Sequence, residues 1–337
     1  MKLSYRPFDL LLKHSFTISG HSRVSTPLML VEIEHEGFTG YGEASMVPYL
    51  GESIQSATAY LDKIDITKFK HPFNFPEIHQ YLDSVSIGNT AIKAAVDIAL
   101  HDLHGKLTNT PCWQLVKSNP VLMPPTSFTI GIDTPVTMRE KATEATGFEV
   151  IKVKLGSPDD KLAISAIRSV TDVPLYVDVN QGWTDRAEAI EMIWWLFEQG
   201  VVLIEQPMPK HDVEGNAWLT AQSPIPIIGD EAVQRLTDVE TAIDVYHGIN
   251  IKLMKCTGMF EAKQMIDKAR ECGLKILIGC MSETSCATLA AAALAPQCDW
   301  ADIDGPFLTT NNPFAMPPFY NGKYILGDDA GLGLKII

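Results

Sequence analysis

Phe148-Glu149-Val150-Ile151-Lys152-Val153-Lys154 is an apolar run that ends on two lysines two residues apart. In a strand, residues i and i+2 point to the same side, so both ammonium groups leave on one side. Crowded cations repel, and the repulsion is expected to lower the pKa of at least one lysine. A lysine lowered in this way can act as a base near neutral pH. Taken alone, the pair fits two solvated lysines on an edge strand better, since most charged pairs lie at the surface. The chain around it decides.

From residue 127 onward, short apolar runs alternate with amphipathic helices. The predicted strands cover 127–131, 148–153, 175–179, 201–205, 225–229, 249–253, 275–279 and 300–303, about one every 25 residues. Pro158, behind Ser157, reads as a first helical position, with Ala163, Ala166, Ile167 and Val170 as the buried stripe. Thr184-Asp185 opens the next helix and Gly200 closes it. Ala262, Met265, Ile266 and Ala269 make another stripe, closed by Gly273. Strands alternating with helices predict a parallel sheet. Eight in succession predict an α/β barrel of the TIM type, whose chemistry sits at the C-terminal ends of the strands.

Polar groups fall at those ends. Lys152 and Lys154 close the second strand, Asp178-Val179-Asn180 the third, Glu205-Gln206-Pro207 the fourth and Asp230-Glu231 the fifth. Lys252 lies on the sixth, and Asp302-Ile303-Asp304 closes the eighth. Asp178, Glu205 and Asp230 are spaced by 27 and 25 residues, one strand–helix unit each. Three carboxylates at one mouth repel unless a cation joins them, and oxygen ligation with room for water suits Mg²⁺. Each could instead cap the helix that follows, but Asn180-Gln181-Gly182 and Gln206-Pro207 do not begin helical patterns. Lys154 and Lys252 are predicted on opposite sides of the barrel. One could remove a proton from a substrate held between them and the other return one to the opposite face. The Lewis-acidic metal would stabilise an enediolate made from a substrate carboxylate.

The N-terminal third, to about residue 120, reads as α+β. Residues 26–35 and 38–42 form a hairpin around Glu36-Gly37. Ile92, Ala95, Val96, Ala99 and Leu103 follow helical spacing. Residues 16–25 and 45–53, rich in Ser, Gly, His and Pro, read as loops and are candidate lids.

Composition excludes several classes. With 337 residues, 46% hydrophobic and 20% charged, the chain can bury a sizeable core. A net charge of −14 without a basic block argues against nucleic acid. Six scattered cysteines, none in a C-x-x-C pair, fit a reducing cytoplasm. The first residues lack a signal-peptide pattern, and no apolar run is long enough to span a membrane.

Together Lys152-Val153-Lys154, Asp178-Val179-Asn180, Leu203-Ile204-Glu205-Gln206-Pro207, Gly229-Asp230-Glu231 and Asn250-Ile251-Lys252-Leu253-Met254-Lys255 resemble the muconate-lactonising subgroup of the enolase superfamily over nearly the whole chain. The resemblance implies an α+β capping domain at residues 1–122 and a modified (β/α)7β barrel at 123–305. Residues 306–337 then return to the cap. It implies one Mg²⁺ per subunit on Asp178, Glu205 and Asp230, with Lys154 and Lys252 as acid/base pair. Lys152 would tune Lys154 and contact the substrate carboxylate, while Asn180, Glu231 and Lys255 support the ligands from behind. The two cap loops become specificity loops. One departure is Cys256-Thr257-Gly258, where relatives often have paired glycines.

Subgroup reactions include cycloisomerisation, succinylbenzoate synthesis, N-succinylamino-acid racemisation and dipeptide epimerisation. Asp302 and Asp304 are acceptors only and suit a free substrate ammonium. Among these substrates only a dipeptide carries one. The pair resembles the signature of Ala-D/L-Glu epimerases, which implies a dipeptide substrate from cell-wall turnover, a cytoplasmic setting and a homo-oligomer. Those enzymes usually hold the Glu side chain with an arginine in the first cap loop. Here His21 falls at that place and Arg23 two residues on, so both Glu and a small or apolar second residue stay open. A lyase or cycloisomerase acting on amine-free substrates, and a barrel that binds without catalysis, are the competing readings.

Overall fold

The computed structural model describes residues 1–18 and 21–337, with the side chains of Ile18, His21 and Pro48 outside the description. The cap begins with three antiparallel strands, β1 (Lys2–Ile18), β2 (His21–His35) and β3 (Phe38–Ser45). The expected loop at 16–25 is mostly strand. Phe16 pairs with Arg23 and Thr17 with Ser22, so the hairpin arms project beyond the sheet proper. The second expected loop holds a single 3-10 turn, Pro48–Leu50. Helices α1 (Ile54–Leu61), α2 (Phe75–Val85) and α3 (Thr90–Thr108) cover one face, and α4 (Cys112–Leu115) leads toward the barrel.

The barrel strands are β4 (Phe128–Ile130), β5 (Ile151–Lys154), β6 (Leu175–Asp178), β7 (Val201–Glu205), β8 (Ile227–Gly229), β9 (Gly248–Lys252), β10 (Lys275–Gly279) and β11 (Trp300–Asp302). They pair in parallel in chain order, and a Thr126–Ala301 bridge joins the two edges. The helices between them are α5 (Pro135–Glu144), α6 (Asp160–Arg168), α7 (Arg186–Glu198), α8 (Val213–Gln222), α9 (Met259–Glu271) and α10 (Ser285–Leu294). Between β8 and β9 the crossover helix is reduced to two 3-10 turns, a departure from the expected pattern. Its residues 237–245 are rich in Thr and Val, which lose rotamer freedom in a helix. Helix α6 starts at Asp160 rather than Pro158, because the Asp160 carboxylate accepts from the Gly156 and Ser157 amides and holds that turn open. Val170 falls outside it and is exposed.

The two-residue period of the strands builds the barrel interior in layers. Val150, Tyr176, Leu203, Ile228 and Leu277 form an apolar plug at the N-terminal end. Two residues further along the same inward faces stand Lys152, Asp178, Glu205 and Asp230. The plug closes one end to water, and the polar layer faces the other. The cap lies over that open end. Cap residue Asp97 on α3 accepts from the Met259 amide at 2.5 Å, the N-terminus of α9. Gly258, at φ 112° just before it, leaves no room for a side chain: a Cβ there would lie 2.3 Å from the Asp97 carboxylate. The C-terminal segment returns past both parts. Tyr324 donates to the Ile303 carbonyl, and the Leu332 amide donates to Asp102 in α3. Among the described residues no helix is long and apolar enough to cross a membrane.

Candidate active site

Lys152 and Lys154 point into the barrel together, as the two-residue period requires. Lys154 donates to Asp178 Oδ2 at 2.5 Å. Lys152 is almost fully buried and donates to Glu205 Oε2 and Asp302 Oδ2, both at 2.6 Å, with Asp178 Oδ2 at 3.1 Å. Three acceptors use the three N–H bonds of an ammonium. Lys152 is not a lysine whose pKa is lowered. Burial pulls it down, but Asp302, Glu205 and Asp178 together hold it well above the usual lysine range. Carboxylates, not the neighbouring lysine, dominate its surroundings.

Across the barrel, Lys252 donates to Asp230 Oδ2 at 2.7 Å, with Glu205 Oε1 at 3.7 Å. β5 and β9 stand four strands apart in a closed sheet of eight, so Lys154 and Lys252 face each other across one cavity. Lys255 is fully buried behind Asp230 and donates to its Oδ1, to its carbonyl and to the Val233 and Asn250 carbonyls. Asp178 and Asp230 are held below the usual carboxylate range: burial opposes this, and the lysines outweigh it. Glu205 and Glu231 are pushed up by burial and by repulsion from Asp178 and Asp230 respectively.

Among the described residues no three His, Cys, Asp or Glu side chains gather closely enough to form a ready-made metal nest. Each carboxylate of the triad is instead engaged by a lysine ammonium, Asp178 by Lys154, Glu205 by Lys152 and Asp230 by Lys252 and Lys255. The donor set nevertheless fits a hard cation. Asn180 Oδ1, Glu231 Oε2 and Asn250 Oδ1 are buried oxygens with no hydrogen-bond partner. They flank the triad: Asn180 donates to Glu231, and Asn250 donates to Glu205 at 2.7 Å. A buried acceptor without a donor costs about 1–3 kcal/mol. A cation with bound water would satisfy such oxygens.

Sequence reasoning missed several supports. Gln206 sits at φ 35° after β7, and its Oε1 accepts from the Asp230 and Ala232 amides, fixing the turn that presents Asp230. Asn180 and Gln181 also have positive φ, so backbone strain collects where the ligands end their strands. Gly279 is required because Asn250 crosses over it: a Cβ would lie 2.6 Å from Asn250 Oδ1. Ser127, just before β4, and Thr129 within it, at i and i+2, hold the last strand. Ser127 and Thr129 hydroxyls donate to Asp302 Oδ1, and the Thr129 amide donates to Asp304 Oδ2 at 2.6 Å. The alternation and the barrel were readable in the sequence, but which side chains of the first strand meet those of the last was not. Thr257 lies in the Cys256-Thr257-Gly258 stretch between β9 and α9. It adopts φ 62° and its hydroxyl donates to Glu261.

Asp302 is therefore occupied by Lys152, Ser127 and Thr129, while Asp304 faces the cavity with only Oδ2 engaged. Burial, and then the Asp302 charge, raises the Asp304 pKa. Arg23 also lines the cavity. It donates to Ser282 Oγ at 2.9 Å, rests on the Phe16 ring, and leaves a buried Nε without a partner. The side chain of His21 lies outside the described residues. Tyr49, from the second cap loop, donates to Met281 Sδ at 3.5 Å and completes the cap side.

Ser282 and Met281 belong to the β10–α10 turn, which the cap grips. Ser45 donates to the Ser282 carbonyl at 2.8 Å, and the Thr284 amide and hydroxyl donate to Glu43. Glu283 accepts from the Met281 amide but leaves Oε2 buried and unpaired. Burial raises Glu43 to about 7, and burial with the Glu43 charge raises Glu283 to about 8. Above an ordinary Glu pKa the unfolded chain has lost these protons and the fold retains them. Both groups thus make stability fall as pH rises from about 4.5 to 8. Glu283→Gln is expected to stabilise the protein by about 2 kcal/mol at pH 8 and by little at pH 5. Thermal melts at the two pH values check it, and an equal effect at both would count against it.

Residues 8–116 match the N-terminal domain of mandelate racemase / muconate lactonizing enzyme, and residues 137–337 match the enolase C-terminal domain-like family. The L-Ala-D/L-Glu epimerase of Bacteroides thetaiotaomicron is 51% identical, covering 100% of this chain and 88% of that protein. A crystal structure of a dipeptide epimerase from Enterococcus faecalis, complexed with Mg and L-Leu-L-Tyr, superposes with a TM-score of 0.90 at 33% identity, covering 99% of this chain and 98% of that one. The dipeptide epimerase of Cytophaga hutchinsonii, complexed with Mg and D-Ala-L-Val, gives 0.93 at 27% identity, covering 99% and 95%. The chain belongs to the mandelate racemase / muconate lactonizing enzyme family of the enolase superfamily, where it groups with the dipeptide epimerases.

Proposed function

We propose that this chain is a dipeptide epimerase that inverts the α-carbon of the C-terminal residue of an Ala-Xaa dipeptide. The observation that carries the reading is the pair Lys154 and Lys252, facing each other across one cavity with the carboxylate layer between them. Asp178, Glu205 and Asp230 would hold one Mg²⁺, which supplies positive charge for the substrate carboxylate. Asn180, Glu231 and Lys255 brace those ligands. Lys154 and Lys252 act on opposite faces of the α-carbon, one taking the proton while the other gives one back. Asp304 receives the substrate ammonium through its free oxygen. Asp302 and Lys152 act as a pair, Lys152 keeping Glu205 and Asp302 compensated. Residues 1–122 and 306–337 form the cap in this reading, and 123–305 the catalytic barrel.

Arg23 favours an acidic second residue. Its unpaired Nε and its place on the cavity wall offer a charge-assisted donor to a side-chain carboxylate. Arg23→Met is expected to lower kcat/KM for L-Ala-L-Glu by about 30- to 100-fold, as expected for loss of a charged hydrogen bond worth about 2–3 kcal/mol. L-Ala-L-Leu should change by less than threefold. Measuring epimer formation on the two dipeptides tests both levels of the reading. No turnover of either would sink the epimerase assignment, and an equal loss on both would sink the role of Arg23.

A further inference from the structure

Thr257 is a β-branched residue held at φ 62°, a left-handed backbone that such side chains rarely adopt. It is fully buried, in the turn that follows Lys252 and carries Lys255. Strain of this kind persists only where the surroundings hold it, and it collects at functional sites. Here the hold is Glu261, whose Oε2 accepts the Thr257 hydroxyl at 3.1 Å. Glu261 is a buried carboxylate in the first turn of α9. Arg235 grips it with two bonds, Nε to Oε1 at 2.7 Å and Nη2 to Oε2 at 2.6 Å, and the Leu236 amide donates to Oε1 at 2.8 Å. A bidentate guanidinium–carboxylate pair is strong and fixed in direction.

Arg235 belongs to the loop after β8, which begins with Asp230 and Glu231. Asp238 Oδ2 accepts from the Gln234 and Arg235 amides, and Gln234 lines the cavity with Glu231. Glu261 therefore ties the loop after β8 to the turn after β9 from outside. Lys255 ties the same two from inside, donating to Asp230 and to the Val233 and Asn250 carbonyls. The turn in turn fixes Lys252, whose carbonyl accepts from the Lys255 and Cys256 amides at 2.9 and 3.2 Å. Lys154, on β5, shares none of these contacts. Arg235 also faces Asp83 of cap helix α2 at 3.3 Å, but that pair is half-exposed and long, and such pairs contribute little.

We infer that Arg235, Glu261 and Thr257 form a clasp that positions Lys252, and so governs one of the two proton transfers while leaving the other to Lys154. The inference rests on the proposed epimerase reading and deepens it. None of the three residues lines the cavity. They act through Lys252 and are positioning residues.

Net epimerisation runs through both lysines and does not tell them apart, so the test is α-proton exchange in D₂O on pure L-Ala-L-Glu and pure L-Ala-D-Glu. The epimer that Lys252→Ala no longer exchanges is the one served by Lys252. Thr257→Gly and Arg235→Met are expected to slow its exchange by about 10- to 100-fold, the loss that a displacement of about 1 Å produces, and to slow the other epimer by less than about threefold. Glycine takes φ 62° without strain, so Thr257→Gly reads the clasp even where Arg235→Met leaves the Glu261 charge stranded and the protein unfolded. Thr257→Ser and Arg235→Lys keep the hydroxyl and the charge and should recover most of the lost exchange. Asp83→Asn should change either epimer by less than about threefold. An equal fall for both epimers would overturn the inference, because the clasp would then support the fold in general. No fall for either would overturn it too. A wild-type protein that exchanges neither epimer would overturn the epimerase reading itself, and the inference with it.

Discussion

Lys154→Ala and Lys252→Ala are each expected to lower epimerisation by about 10³- to 10⁴-fold, the upper range for a positioned acid or base. The losses should differ in kind. Each lysine is proposed to reach one face of the α-carbon only. In D₂O, Lys154→Ala should therefore still exchange the α-proton of one epimer and not the other, and Lys252→Ala should show the opposite preference. Lys154→Arg and Lys252→Arg separate charge from basicity, since arginine keeps the cation but does not deprotonate. They should preserve the ion pairs to Asp178 and Asp230 yet fail to exchange on their own face. NMR of the α-proton for each pure epimer reads all four variants. Should Lys154→Ala exchange both epimers at the wild-type rate, a two-base mechanism is excluded.

The legibility of that pair in the sequence has a simple cause. A strand has a period of two and a strand–helix unit has a near-constant length. Lys152, Lys154, Asp178, Glu205, Asp230 and Lys252 could thus be placed on inward faces at the same end of the barrel. The apolar residues two positions earlier, Tyr176, Leu203 and Ile228, make the plug beneath them. What depends on this local repeat was readable. What depends on how distant segments meet was not. The surroundings of Lys152 are the clearest case. Lys154 is its neighbour in sequence, but Asp302 arrives from the last strand and Glu205 from β7, and both press directly on the ammonium. The same closure turns Asp302 from a candidate ammonium site into a partner of Lys152 and leaves Asp304 with the free oxygen.

The cap illustrates the other limit. Residues 16–25 have a loop's composition, yet 16–18 and 21–25 continue the hairpin, with Phe16 paired to Arg23 and Thr17 to Ser22. Strand propensity depends strongly on context in an exposed hairpin arm, so composition could not tell arm from loop. The missing helix between β8 and β9 lay within the spacing that predicted it. A βα unit keeps its length even when two 3-10 turns replace the helix.

Removing divalent metal is expected to lower turnover by about 10³-fold or more, since a Lewis acid contributes several kcal/mol at a developing charge. Chelation followed by return of Mg²⁺ checks the loss and its reversal. A sharper consequence follows from the ion pairs. Lys154 and Lys252 each hold an oxygen of a proposed ligand, Asp178 Oδ2 at 2.5 Å and Asp230 Oδ2 at 2.7 Å. A cation binding the same oxygens competes with those ammonium groups for negative charge. Removing one competitor should tighten metal binding, whereas removing a ligand should weaken it. Calorimetric titration with Mg²⁺ is thus expected to give a lower Kd for Lys154→Met than for the wild type, and a higher one for Asp178→Asn, independent of turnover. Thermal stability should follow: Mg²⁺ at a hundred times its Kd adds about 2.7 kcal/mol to the folded state. A Lys154→Met protein that binds Mg²⁺ more weakly than the wild type would mean that Lys154 supports the metal site rather than competing with it. The short contact to Asp178 would then be part of the site's frame.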